Sequence, residues 1–239
     1  MDKIDLPHER ILVALDYDNA EDALRLTRAL AGKVGGVKVG LELVNAVGFE
    51  IFSRLTEAGA TRIFYDAKFH DIPNTVAGAV RAAAKRGVWM VNVHAGGGSA
   101  MLNAATEAAH SGDHVPLLIG VTILTSIDET SLNADLRVPG TVATQVTHLA
   151  ALCQNAGLDG VVASPLELAA IHAACGPDFL TVIPGVRPAG SATHDQARVA
   201  TPGAAVAMGA TYLVVGRAIT SANDPVEAAD AIAREIAAA

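Results

Sequence analysis

Asp66, Lys68 and Asp71 stand within six residues of one another in the stretch Asp66-Ala67-Lys68-Phe69-His70-Asp71-Ile72-Pro73-Asn74-Thr75. An ammonium beside a carboxylate can stabilise a developing negative charge and then hand over a proton. Two acids flanking one lysine are costly to bury unless the group is paired and used. The stretch follows the apolar run Ile63-Phe64-Tyr65, which reads as the start of a buried strand. If that strand continues through Lys68, Asp66 and Lys68 point to the same side at its C-terminal end. Asp71 then falls in the turn beyond, and Pro73 suits the first turn of a helix, where its missing N–H costs nothing. The plainer alternative is a surface ion-pair cluster at a strand end.

The elements that must position these residues decide between the two. Short β-branched runs at 10–16, 36–40, 62–68, 88–94, 117–123, 160–163, 181–184 and 212–215 alternate with Ala-rich helical segments. Those segments span 20–31, 42–58, 73–86, 99–110, 142–156, 165–174, 202–208 and 225–238. Asn19 and Ser164 stand where helix caps are needed, and Gly59, Gly87 and Gly157 where helices stop. The strand runs are almost wholly apolar, the pattern of parallel strands covered by helices. Eight strand-then-helix units in 239 residues predict a single α/β domain over residues 1–239, a (β/α)8 TIM barrel. A doubly wound open sheet is the alternative that the same alternation would feed.

Composition narrows the function. Half the residues are hydrophobic and 18% are charged, enough for a large core. A formal net charge of −8 argues against a nucleic-acid surface, so an anionic ligand would need locally placed cations. The two cysteines, Cys153 and Cys175, form no metal or redox motif and read as inert helix residues of a reducing cytoplasm. Neither a signal-like N-terminus nor a membrane-spanning run is present in the sequence, so a soluble cytoplasmic protein is expected.

Polar residues cluster where strands end. Asp16 closes the first strand, Lys38 lies near the end of the second, and Asp66 and Lys68 end the third. Asn92 and His94 end the fourth, Thr122 and Thr125 follow the fifth, Arg187 the seventh, and Gly216-Arg217 the eighth. In a barrel these positions converge on the C-terminal mouth, where barrel enzymes keep their active sites. Gly216 permits close backbone approach and Arg217 supplies a cationic fork, a pairing suited to phosphate. The polar segment 184–196 suits a lid in which Arg187 and Gln196 close over that phosphate. Gly96-Gly97-Gly98 has neither dinucleotide nor Walker spacing and is weak evidence for a phosphate cradle. His70 and His94 are near the mouth without a second ligand at metal spacing, and no metal site is expected.

The decapeptide resembles the signature of the orotidine 5′-phosphate decarboxylase family in its bacterial form. Ala14-Leu15-Asp16, Val37-Lys38-Val39-Gly40, Val93-His94-Ala95, Leu124-Thr125-Ser126, Pro184-Gly185-Val186-Arg187 and Val215-Gly216-Arg217 follow in that family's order along nearly the whole chain. Gly97 departs from the pattern, outside the catalytic set. The resemblance implies conversion of orotidine 5′-monophosphate to uridine 5′-monophosphate and CO2 without metal or organic cofactor. It implies that Asp16 and Lys38 hold the ribose hydroxyls, with Lys38 also continuing the catalytic charge network. Asp66 would lie against the substrate carboxylate, Lys68 would protonate C6, and Thr125 would bond the pyrimidine edge. Arg187, Gln196, Gly216 and Arg217 would take the 5′-phosphate. It further implies a homodimer in which Asp71 and Thr75 reach into the partner's site.

Three other readings share parts of this pattern. A magnesium-dependent decarboxylase of the 3-keto-6-phosphogluconate type needs an extra acidic ligand near the second strand, where Glu42 is the one candidate. A Schiff-base aldolase needs a neutral amine, which a lysine between two aspartates does not favour. A catalytically silent binding barrel has no use for the acid–lysine–acid set.

Overall fold

The computed structural model describes Ile4 and residues 6–188 and 200–239. Eight strands follow in chain order: β1 (Ile11–Ala14), β2 (Gly36–Val39), β3 (Ile63–Phe69), β4 (Met90–His94), β5 (Leu117–Val121), β6 (Gly160–Val162), β7 (Leu180–Pro184) and β8 (Tyr212–Val215). Each pairs in parallel with the next, and β8 pairs back onto β1 with Leu213 opposite Ile11. The ring is closed, which sets the open-sheet alternative aside. This is a (β/α)8 barrel.

Around it lie α1 (Ala20–Leu30), α2 (Leu41–Val47), α3 (Ile51–Glu57), α4 (Pro73–Ala84), α5 (Gly98–Ala109), α6 (Glu129–Ala134), α7 (Val142–Asn155), α8 (Leu168–Cys175), α9 (Pro202–Ala207), α10 (Arg217–Thr220) and α11 (Pro225–Ala237). The helix expected over 42–58 is two helices, because the chain turns at Gly48 with φ of 79°. At six residues α6 is too short to show a helical period in sequence, and it is held by Asp128, whose side chain accepts from the Ser131 N–H. Asn19 caps α1 as expected, accepting from the Asp22 N–H at 3.0 Å. Among the described residues no helix is long and apolar enough to cross a membrane.

Alternation along the strands divides the apolar residues into two layers. Ile11 and Val13, Val37 and Val39, and Ile63 and Tyr65 pack outward against helices such as α1, which buries Leu26 and Leu30. Leu12, Phe64, Met90, Ile119, Leu180 and Tyr212 point inward and fill the barrel. Beyond this plug, the inward positions at the C-terminal ends become polar. Cys153 on α7 and Cys175 on α8 are buried free thiols, and burial pushes the Cys153 thiol up to about 12. Both lie in helices, where the sequence places them.

Strand spacing leaves no room for a side chain at Gly160 on β6. A Cβ there would collide with the Leu180 carbonyl oxygen and lie 2.5 Å from the Leu180 Cβ. Gly160→Ala is therefore expected to destabilise the barrel by about 1–3 kcal/mol, the usual scale for overpacking. Urea unfolding would read this as a lower midpoint, and an unchanged midpoint would contradict the tight β6–β7 approach.

Candidate active site

The C-terminal ends of the strands surround a cavity of about 300 Å³, a size suited to a small ligand. Phe64, Val121, Val162 and Val182 form its apolar base, while Asp16, Lys38, Asp66, Lys68, Arg187 and Arg217 supply its charge. Among the described residues, four cations against two carboxylates make this lining positive in a chain whose formal charge is −8. The field thus favours an anion where the protein as a whole does not.

The two carboxylates and two lysines form a chain of alternating charge. Lys38 Nζ, reached inward from β2, lies 2.8 Å from Asp16 Oδ1 and 3.6 Å from Asp66 Oδ2. Asp66 Oδ1 in turn accepts from Lys68 Nζ at 2.7 Å. The side chains of Lys38 and Asp66 are 11% and 13% exposed, so water screens this part weakly. Burial alone would raise the Asp66 pKa, but the ammonium groups of Lys68 and Lys38 and hydrogen bonds from Lys68 and Asn92 outweigh it. The carboxyl sits below the ordinary aspartate range.

β3 is irregular where this chemistry sits. Tyr65 pairs with Val91 and Phe69 with Val93, so four residues on β3 advance against two on β4. Lys68 has φ of 50°, a left-handed conformation costing roughly 1–2 kcal/mol for a residue with a side chain. Asn92 faces this irregularity. Its Oδ1 accepts from the Lys68 backbone N–H at 2.7 Å, and its Nδ2 donates to Asp66 Oδ1 at 2.7 Å. Sequence placed Asn92 at the mouth without a task; a polar residue within the apolar run 88–94 was the available signal.

Thr125 and Gly216 also line the cavity. A Cβ added at Gly216 would meet only the Ala14 Cβ at 3.8 Å, so the space beside this backbone opens to the cavity. The Arg187 N–H donates to the Ala200 carbonyl at 3.0 Å. Gln196, with most of the segment read as a lid, lies outside the described residues. Asp71 and Thr75 are exposed and do not line their own chain's cavity; Asp71 borders a shallow surface recess with His70, Ile72 and Gly96. Glu42 is exposed and away from the cavity lining. His94 stacks obliquely on His70, with ring centroids 5.3 Å apart. Burial chiefly lowers the His94 pKa, and His70 and Lys68 add to the effect against Asp66. Among the described residues no cluster of three or more His, Cys, Asp and Glu side chains is placed to hold a metal.

Known proteins resemble this chain over nearly its whole length. The family model described as orotidine 5′-phosphate decarboxylase / HUMPS family matches residues 9–232. The orotidine 5′-phosphate decarboxylase of Moorella thermoacetica is 51% identical over 233 residues, covering 95% of this chain and 92% of that protein. That of Halorhodospira halophila is 52% identical over 230 residues, covering 96% and 97%. A crystal structure of the Lactobacillus acidophilus orotidine 5′-phosphate decarboxylase superposes with a TM-score of 0.83 at 40% identity, covering 95% of this chain and 98% of that one. With a match over nearly its whole length, this chain belongs to the orotidine 5′-phosphate decarboxylase / HUMPS family.

Proposed function

We propose that the protein decarboxylates orotidine 5′-monophosphate to uridine 5′-monophosphate, as a cytoplasmic carboxy-lyase of de novo pyrimidine biosynthesis. Residues 1–239 act as one catalytic barrel. The observation that carries this reading is Lys68 Nζ, held 2.7 Å from a part-buried Asp66 carboxylate at one side of a cation-rich cavity. In the bound complex, Arg187, Gln196, Arg217 and the backbone at Gly216 take the 5′-phosphate. Asp16 and Lys38 take the ribose hydroxyls, and Thr125 the pyrimidine edge. The substrate carboxylate lies against Asp66, with C6 beside Lys68.

The C6–carboxyl bond breaks, CO2 departs, and its electron pair remains on C6. The Lys68 ammonium stabilises that carbanion at short range and then transfers a proton to it, regaining one from solvent after product release. Repulsion between Asp66 and the substrate carboxylate raises the ground state against a transition state that is losing that charge. Phosphate contacts far from C6 supply binding energy that holds the ring in place. This chemistry uses no metal and no organic cofactor. The exposed position of Glu42, outside the cavity, counts against the magnesium-dependent alternative.

The site is completed in a homodimer by the partner subunit's Asp71 and the partner subunit's Thr75. Their exposure, and their absence from the lining of their own cavity, support that assignment.

Three experiments test this. Loss of orotidine 5′-monophosphate, followed by ultraviolet absorbance with a chelator present, should be rapid for the wild type and absent for Lys68→Ala. That variant should still bind uridine 5′-monophosphate, and retention of a substantial fraction of kcat would refute the role of Lys68.

Arg217→Ala should weaken phosphate-bearing ligands by roughly 2–4 kcal/mol, the scale for losing one partner of a charged contact. A ligand without phosphate should bind as before, and equal losses for both would contradict the phosphate assignment.

Lys68→Ala and Asp71→Ala proteins, each inactive alone, should regain activity when mixed and allowed to exchange subunits. Half the dimers are then mixed, and one of the two sites in each carries neither lesion. Recovery should approach about a quarter of the wild-type rate. Confirmed exchange without recovery would place Asp71 in its own chain's site.

A further inference from the structure

We propose that Asn92 is a positioning residue for the reaction, setting the backbone of Lys68 and the carboxylate of Asp66 as one rigid unit through its side-chain amide. The inference rests on the decarboxylase reading above and names a residue that the charge network itself does not include.

The irregular pairing of β3 and β4 leaves a gap in the ladder between Tyr65–Val91 and Phe69–Val93, and Asn92 is the β4 residue within it. Its own backbone is held on the other side by pairing with Ile119 of β5. Across the gap, the amide takes the place of main-chain pairing, accepting the Lys68 N–H and donating to Asp66, both at 2.7 Å. With the 2.7 Å bond from Lys68 Nζ to Asp66 Oδ1, these contacts close a ring through both the main chain and the side chain of Lys68. The ring braces the left-handed Lys68 backbone, with φ of 50°.

The chemistry of the partners selects the residue type. A backbone N–H can only donate, and an ionised carboxylate can only accept, so the group between them must offer one acceptor and one donor. Asn92 does so, and its amide orientation is thereby determined. It is 0% exposed, so bulk water cannot replace it at either face. An apolar side chain would leave a buried N–H unpaired and deprive Asp66 of one donor. A carboxylate would still accept from Lys68 but would face Asp66 with like charge.

The test uses full-length Asn92→Ala and Asn92→Asp, assayed for orotidine 5′-monophosphate decarboxylation beside the wild type. Small misplacements of reacting groups cost about 10²-fold in rate, and both variants should lose kcat on that scale at neutral pH while KM changes by less than about threefold. Asn92→Asp provides a further readout. The introduced carboxyl and Asp66 should share a proton with an apparent pKa above the ordinary carboxylate range, and that proton restores the missing donor. Its kcat should therefore rise as pH falls toward that pKa, a recovery that Asn92→Ala does not show.

Active-site titration with a tight-binding nucleotide separates a lower rate per site from a smaller folded fraction. Loss explained wholly by the folded fraction, or kcat within about twofold of wild type in both variants, would overturn the proposal. If Asn92→Ala does not fold, the pH profile of Asn92→Asp decides by itself. If the wild type fails to decarboxylate, the functional reading falls, and crystal structures of the variants judge the clamp separately. Lys68 retaining its positive φ and its contact with Asp66 would overturn it, whereas relaxation of both would support it.

Discussion

The Asp66 carboxylate lies between two ammonium groups with only 13% of its side chain exposed. Removing one partner from a buried ion pair costs about 3–5 kcal/mol, because the remaining charge is left without adequate solvation. Asp66 therefore binds three strands to a common geometry. Lys38 must reach inward from β2, Lys68 must turn back at the end of β3, and Asn92 must project from β4. Lys68 adopts its unfavourable φ where all these contacts meet, so backbone strain and buried charge share one location.

Such a group has to be carried on a rigid frame. Close-packed apolar residues on both faces of the strands provide it, with the inner plug around Phe64 and Met90 supporting the cavity from below. The closed ring also removes sheet edges that would otherwise need protection. At the open end, the described lining collects four cations and two carboxylates, although acidic residues outnumber basic ones in the whole chain. The excess negative charge is carried elsewhere, and the local field at the mouth is set by residues drawn from five strand ends.

Much of this was legible in the residues. Strand and helix alternation predicted the barrel because buried parallel strands require apolar side chains on both faces. The polar residues Asp16, Lys38, Asp66, Lys68 and Arg217 were visible because they interrupt or terminate those runs, and all of them line the cavity. Local sequence was less informative about short elements. The six-residue α6 has too few turns to display a period, and the break at Gly48 lies within an otherwise continuous helical pattern.

The sequence by itself determined the periodicity, the caps, the strand ends and the types of group available for chemistry, since each depends on residues within a turn or a strand of one another. Tertiary structure decided which of those groups meet. Ring closure brings Arg217 and Asp16, two hundred positions apart, to the lining of one cavity, and it leaves Asp71 outside the cavity that holds Lys68, three residues away. It also decided the part played by Asn92. An asparagine in an apolar run carries no record of its partners, because the Lys68 N–H and the Asp66 carboxylate each come within 2.7 Å of its side-chain amide only after β3 breaks register with β4. Hydrogen bonds and ion pairs act over a few ångströms in space, and separation along the chain does not encode that distance.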